Sequence, residues 1–394
     1  MKKVKHLLSV FALLFSIMQA TASADSCGLR ISLLTCTPGS ELYSVFGHSA
    51  LRIVDSTVGT DIVYNFGTFD FNDPSFYSKF VRGKLMYFLS QETFENFKYE
   101  YAYFKRGITE QVLSFNCAEK TLIQTKLFEN MQEANRYYKY DFLKDNCTTR
   151  LRDLIFGAKS MVGNNKFFGS KTNSTYRDYL HNYLNRAAMP WTKLGIDLLL
   201  GFDAEHRMNV NESMFLPDYL QKGVSLARLG NKNLVSEEII LVDDLQPEPT
   251  NPPFWETPFF FFNAILVLFA VLGGIKNKKS EKLIAKLDII LFVIVGLLGI
   301  VLMFMWLGTD HASFRDNLNL IWALPTNLLA AFFINAQHKW VKKYFLGYSV
   351  LTIGLGVLMI SMPGSISISL IPLIILLSYR AWLIGRNDKK TLKQ

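Results

Sequence analysis

The sequence predicts an α+β exported domain followed by an all-α membrane domain of five helices. Three observations carry this reading: a short apolar leader behind a basic N-terminus, alternating strand-like and helix-like patterns over 25–245, and five apolar stretches beyond a Pro-rich segment. The 394 residues are 50% hydrophobic, too apolar for a purely soluble chain of this length.

The leader comes first. Lys2, Lys3 and Lys5 precede the apolar run 7–18, and Ala22-Ser23-Ala24 presents small residues for cleavage, so 1–24 reads as a signal peptide. The formal charge of +9 divides unevenly: +3 in the leader, −3 over 25–258 and +9 over 259–394. No basic surface belongs to the exported region, which disfavours a nucleic-acid partner.

Within 25–245, residues 30–36, 49–54 and 61–66 are apolar or β-branched runs that read as strands. Segment 96–103 carries an aromatic at every second position (Phe97, Tyr99, Tyr101, Tyr103), which predicts a further strand with one buried face. Residues 119–138 read as a helix, and the strands as a small, mostly antiparallel sheet. Exported Cys27, Cys36, Cys117 and Cys147 are permitted disulfides whose pairing cannot be deduced from spacing, and no pair has zinc-type spacing.

Cys147 has a distinctive context. Asp145 or Asn146 can cap a helix whose Leu151, Leu154 and Ile155 form an i, i+3, i+4 apolar face. The thiol then lies in the first turn, where unpaired N–H groups and the helix dipole favour a thiolate. A buried free thiol or half of a disulfide is the plainer reading. His48 follows a glycine and opens an apolar strand, a workable base for that thiol. Asn65 on the next strand and Asp70 beside it are candidates to orient the ring. Tyr43 is a candidate oxyanion donor, and Arg82 with Lys84 a candidate phosphate contact or simply a solvated charge pair. Segment 214–220 is either a membrane-facing lid or core, with Pro217 starting a helix.

Residues 246–258 form a Pro-rich linker. The stretches 259–275, 285–307, 318–336, 343–361 and 364–384 each approach the ~20 residues that cross a bilayer, the last two being divided by a Pro-Gly turn. The basic segments 276–282 and 338–343 and the tail 386–394 mark the cytoplasmic side, which places 25–258 outside it. The polar loop with Asp310, His311, Arg315 and Asp316 reads as a cap between two spans, or as a place where a lipid headgroup or the exported domain lies. Asp288 is the one internal ionisable group expected in the spans, which disfavours ion-coupled transport.

A histidine followed by a cysteine at a helix start is similar to the circularly permuted papain-like (NlpC/P60-type) fold. More closely, segments 33–52, 64–71, 80–85 and 140–150 resemble the Lnb family of bacterial lipoprotein N-acyltransferases, as does the order of an exported domain and five membrane helices. The resemblance implies an inner-membrane enzyme without a cofactor, with Cys147 and His48 as the catalytic positions. It implies membrane phospholipid as acyl donor and diacylated lipoproteins as acceptors. A membrane-anchored cell-wall peptidase and a non-enzymatic interaction module are the competing readings.

Overall fold

The computed structural model describes residues 27–158, 168–229, 232–336, 338–361 and 366–386. The expected leader, the turn at 362–365 and the tail beyond Arg386 lie outside them. Strands β1 (Leu29–Cys36), β2 (His48–Asp55) and β3 (Thr60–Thr68) form where the apolar and β-branched runs predict them. With β4 (Met86–Thr93), β5 (Ile108–Leu113), β6 (Tyr137–Lys139) and β7 (Val235–Val242) they build a seven-stranded sheet, in the order β7-β5-β1-β2-β3-β4-β6. All its pairings are antiparallel.

Alternation divides the sheet between two cores. Leu33, Leu51 and Ile53 cluster with Ile123 and Leu127 of α3 (Cys117–Met131) and with Leu151 and Ile155 of α4 (Cys147–Gly157). Leu34, Ala50 and Val63 cluster instead with Phe97 and Tyr101. A disulfide between Cys27 and Cys117 ties the chain entering β1 to the start of α3, at a Cα separation of 5.6 Å. Cys36 and Cys147 are free thiols.

The segment expected as a strand over 96–103 is helical. After α1 (Phe76–Val81) and β4, α2 spans Phe94–Tyr103. Thr93 caps it by accepting the Asn96 N–H, and Glu95 lies in the first turn. Phe97 and Tyr101 are buried while Tyr99 and Tyr103 are exposed and stack on each other. The inward positions are therefore i and i+4, and an alternation of aromatics satisfies that spacing as well as a strand's. Segment 214–220 is core: Met214, Phe215, Leu216 and Leu220 are buried, and Pro217 begins α7 (Pro217–Leu226), which follows α5 (Tyr176–Arg186) and α6 (Pro190–Leu199).

The membrane-type domain contains α8 (Pro258–Gly274), α9 (Lys278–Leu307), α10 (Thr326–Phe332), α11 (Lys339–Ser361) and α12 (Ile371–Arg386). Among the described residues three helices are long and apolar enough to cross a membrane: 278–307, 339–359 and 368–386; α8 is apolar but shorter. The third expected span, 318–336, is not one helix. It breaks into a 3₁₀ turn at Leu318–Ile321, the seven residues of α10 and a second turn at Ile334–Ala336. Pro325 removes a backbone donor at the break, and Gly299 of α9 lets this chain approach so closely that a Cβ there would collide with the Ala323 carbonyl.

The spans also hold a charge that the sequence reading passed over. Arg380 of α12 donates to Asp288 of α9 through Nε (2.8 Å) and Nη2 (2.7 Å), and both side chains are buried. Asp288 is thus half of an ion pair.

The loop after α9 is more than a cap. The Asp310 N–H donates to the Arg82 carbonyl (2.9 Å), the His311 ring Nε2 donates to the Phe80 carbonyl (3.0 Å), and Lys139 Nζ pairs with Asp310 (2.8 Å). Further along, the Gly201 N–H donates to the Ser313 carbonyl (2.9 Å), and Asn317 Nδ2 to the Leu198 carbonyl (2.7 Å). The sheet domain is therefore docked directly onto the loops of the helical domain.

Candidate active site

Cys147 is the first residue of α4, and its position is set by Asn146. The buried Asn146 Oδ1 accepts from the N–H groups of Thr148 (2.8 Å) and Thr149 (2.9 Å), while Thr149 Oγ1 accepts from the Asn146 N–H (2.8 Å). This reciprocal cap satisfies donors that a helix start leaves open. Asn146 Nδ2 donates to the carbonyls of Phe142 (2.8 Å) and Phe215 (2.9 Å), which pins the cap to the core. The Cys147 N–H is left unclaimed by this cap.

His48 begins β2, with Cys36 of β1 as its register partner. Gly47 makes the entry possible, because its φ of +76° lies in the left-handed region and a Cβ would come within 2.7 Å of the Cys36 carbonyl. The imidazole lies beside the Cys147 thiol, close enough for each group to shift the other's titration. Its Nε2 lies 3.0 Å from Asn65 Oδ1, which leaves Nδ1 as the ring nitrogen not engaged by Asn65. Asn65 Nδ2 in turn donates to Glu92 Oε1 at 3.0 Å. Asn65 and Glu92 share one sheet face, since Glu92 is paired with Val63 and Asn65 lies two residues on. The result is a hydrogen-bonded His48–Asn65–Glu92 chain beside Cys147.

Electrostatics follow the geometry. Burial would push the Cys147 thiol up, but the charge and hydrogen bond of His48, with help from the Ser49 N–H and Thr148, hold it below the usual thiol value. Burial would likewise lower His48, yet the Cys147 charge and the bonds to Cys147 and Asn65 raise it. Each group favours the charged form of the other, the condition for a thiolate–imidazolium pair. Cys36 provides the contrast: burial outweighs the Tyr101 hydroxyl and the Arg106 charge, and its thiol is pushed up to about 12. Glu92 is raised too, by burial and by Glu100.

Gly67 lies beside Cys147 in a backbone conformation that favours glycine. Its φ is +88°, and a Cβ there would stand 3.5 Å from both the Cys147 Cβ and the Tyr140 ring.

The other expected residues lie apart from this chain. Tyr43 is 77% exposed in the turn before His48. Asp70 is exposed and accepts the Asn72 N–H at 2.8 Å. Arg82 and Lys84 are exposed at the end of α1, near Asp310. Glu92 escaped the sequence reading, because nothing in its spacing from His48 or Cys147 marks it. His181 lies in a separate buried cluster, 2.6 Å from Asp197 Oδ1, which also pairs with Arg177 (2.8 Å).

Two family models match the chain: the Lnb N-terminal periplasmic domain over 17–184 and the Lnb transmembrane domain over 250–391. No curated protein and no solved structure matches it.

Proposed function

The chain belongs to the Lnb family, and we propose that it is a membrane-bound lipoprotein N-acyltransferase acting through a thioester on Cys147. A sheet-rich periplasmic domain followed by a helical membrane-type domain is the architecture on which the proposal rests. The observation that carries it is the hydrogen-bonded His48–Asn65–Glu92 chain beside Cys147 at the start of α4, in a domain docked onto the loops of the helical domain. We read this domain as a permuted papain-like fold, held on the periplasmic side of the inner membrane by the apolar helices that follow it.

In the first step the Cys147 sulfur attacks the carbonyl of a glycerolipid ester. The S–C bond forms, the ester C–O bond breaks, and the departing alcohol oxygen takes the proton from His48 Nδ1. Membrane phospholipid is the proposed donor. In the second step the α-amino group of a diacylglyceryl-cysteine lipoprotein attacks the thioester. The N–C bond forms, the C–S bond breaks, and His48 recovers a proton as the amine loses one. Division through a thioester replaces one difficult transfer by two easier ones. The Cys147 N–H, at a helix start, is the oxyanion donor this arrangement supplies; Tyr43 would have to turn inward to add a second. Both substrates are anchored in lipid, so tethering the site to the bilayer supplies proximity.

Mass spectrometry of lipoprotein N-termini tests the reading in cells with no other such enzyme. Wild-type protein is expected to yield N-acylated termini and Cys147→Ala protein free amines. Normal N-acylation by the Cys147→Ala protein would refute the proposal. A hydroxylamine-sensitive acyl group on Cys147 would exclude a mere interaction module, and release of peptidoglycan fragments without N-acylation would favour a peptidase.

A further inference from the structure

The segment between β3 and β4 contains α1, and none of the residues of that helix is buried. Its side chains are nevertheless strongly apolar: Phe71 is 69% exposed, Tyr77 82% and Phe80 50%. An apolar surface of this kind on a docked, ordered segment calls for an occupant.

Ring contacts connect the surface to the thiol. Phe80 stacks on Phe76 (centroids 6.1 Å apart), Phe76 on Phe69 (5.6 Å), and Phe69 meets Tyr87 edge-on (5.3 Å). Tyr87 stacks on Tyr140 (4.4 Å), whose ring borders the space above Gly67 beside the Cys147 Cβ. Phe80 is exposed, and Phe69, Phe76, Tyr87 and Tyr140 are each half-buried.

The far end of the strip meets the membrane domain. His311 and Asp310, just beyond the end of α9 at Leu307, bond to the carbonyls of Phe80 and Arg82. Gly83 permits this approach: its φ is +65°, and a Cβ would stand 3.0 Å from the His311 nitrogen. Phe80 is therefore held just beyond the end of α9, a helix long and apolar enough to cross a membrane, and the end of such a helix is where acyl chains leave the hydrocarbon core.

We propose that the strip Phe80–Phe76–Phe69–Tyr87–Tyr140 is a track that carries one fatty-acyl chain from the bilayer edge at α9 to Cys147. This rests on the acyltransferase reading and adds to it the route of the chain being transferred. The strip commits to an acyl chain over a peptide because it offers rings and few hydrogen-bonding groups, and because it is continuous with the end of a membrane helix. An acyl chain lying along it removes apolar surface of both partners from water.

The test uses full-length Cys147→Ala protein in phosphatidylglycerol/phosphatidylethanolamine vesicles containing a phospholipid with a diazirine near the middle of one acyl chain. Absence of the thiol makes the result independent of chemistry at Cys147. Cross-links are expected in the 69–87 peptide, reduced about tenfold by Phe76→Glu, the factor expected when a well-buried apolar contact is lost. Phe76→Ser, with a folded state checked by thermal unfolding, covers the case in which the charged variant misfolds. Cross-links confined to α8, α9, α11 and α12 would overturn the track. With Cys147 present, acylation by p-nitrophenyl esters of rising chain length is expected to accelerate with length, and Phe76→Glu to flatten that rise. Acylation of Cys147 with no chain-length preference in either protein would remove the track and leave the proposed function standing. Absence of acylation alongside cross-links at 69–87 would do the reverse.

Discussion

The carboxamide oxygen of Asn65 lies 3.0 Å from His48 Nε2, and this single bond decides which imidazole nitrogen is free. An oxygen only accepts, so Nε2 carries a proton and Nδ1 is the nitrogen available to the thiol. The amide is kept from flipping because its nitrogen donates to the Glu92 carboxylate at 3.0 Å. Glu92 thus selects the tautomer of a histidine it does not touch.

Glu92→Gln removes that selection, because a glutamine amide can face Asn65 with either its donor or its acceptor. We expect thioester formation about tenfold slower, with KM little changed, and Asn65→Ala slower by about 10- to 100-fold. Single-turnover acylation of Cys147 measures the rate, and ¹⁵N NMR of the His48 ring reads the tautomer. An unchanged ring spectrum in Glu92→Gln would remove Glu92 from the positioning role.

The pH dependence follows from the directions of two shifts. Cys147 is held below the usual thiol value, so its thiolate fraction grows as pH rises through that lowered pKa. His48 is raised, so the imidazolium that protonates the leaving alcohol is lost only as pH rises through its higher value. Acylation should be bell-shaped, with the acid limb set by the thiol. In His48→Ala protein only burial and the weaker Ser49 and Thr148 bonds remain. Iodoacetamide titration of Cys147 should then move its midpoint upward relative to wild type.

Asp288 and Arg380 should be destabilising to separate and tolerable to remove together. Asp288→Ala leaves a buried guanidinium without its partner, a loss of about 3–5 kcal/mol. Asp288→Leu combined with Arg380→Leu should recover most of it. Thermal unfolding in detergent micelles reads both, and an equally unstable double variant would contradict the pairing argument.

Asp197 links the two domains chemically: its carboxylate holds His181 and Arg177, and its carbonyl accepts from Asn319 Nδ2 at 3.0 Å. Burial would raise this carboxyl, but His181 and Arg177 hold it below the usual carboxylate range. A depressed pKa contributes stability that is complete above the unfolded value of about 3.9 and disappears as pH falls through the folded one. Asp197→Asn should therefore be less stable than wild type at neutral pH and lose less on acidification below about pH 4. Chemical denaturation across that range provides the comparison.

Much of the site was legible before the fold. Cys147 stood out because a capping residue and an i, i+3, i+4 apolar face define a helix start locally, and β1 to β3 because each run is apolar enough to be core. Asn65 was reachable from its strand position next to His48. The aromatics at 97, 99, 101 and 103 misled, since periods of two and of four coincide over so short a span; burial of Phe97 and Tyr101 against the sheet decides for the helix. The third apolar stretch had enough hydrophobicity for a span, but Pro325 and the close approach to Gly299 break it.

The sequence by itself determined the order of domains, the helix that presents Cys147, and the apolar segments of the membrane domain, because capping, periodicity and hydrophobic run length are local properties. Only the tertiary structure decided that Glu92 backs Asn65, that Arg380 answers Asp288, and that the loop after α9 holds α1 through Phe80 and Arg82. Each of these joins residues far apart in the chain through a hydrogen bond whose partner no local pattern specifies.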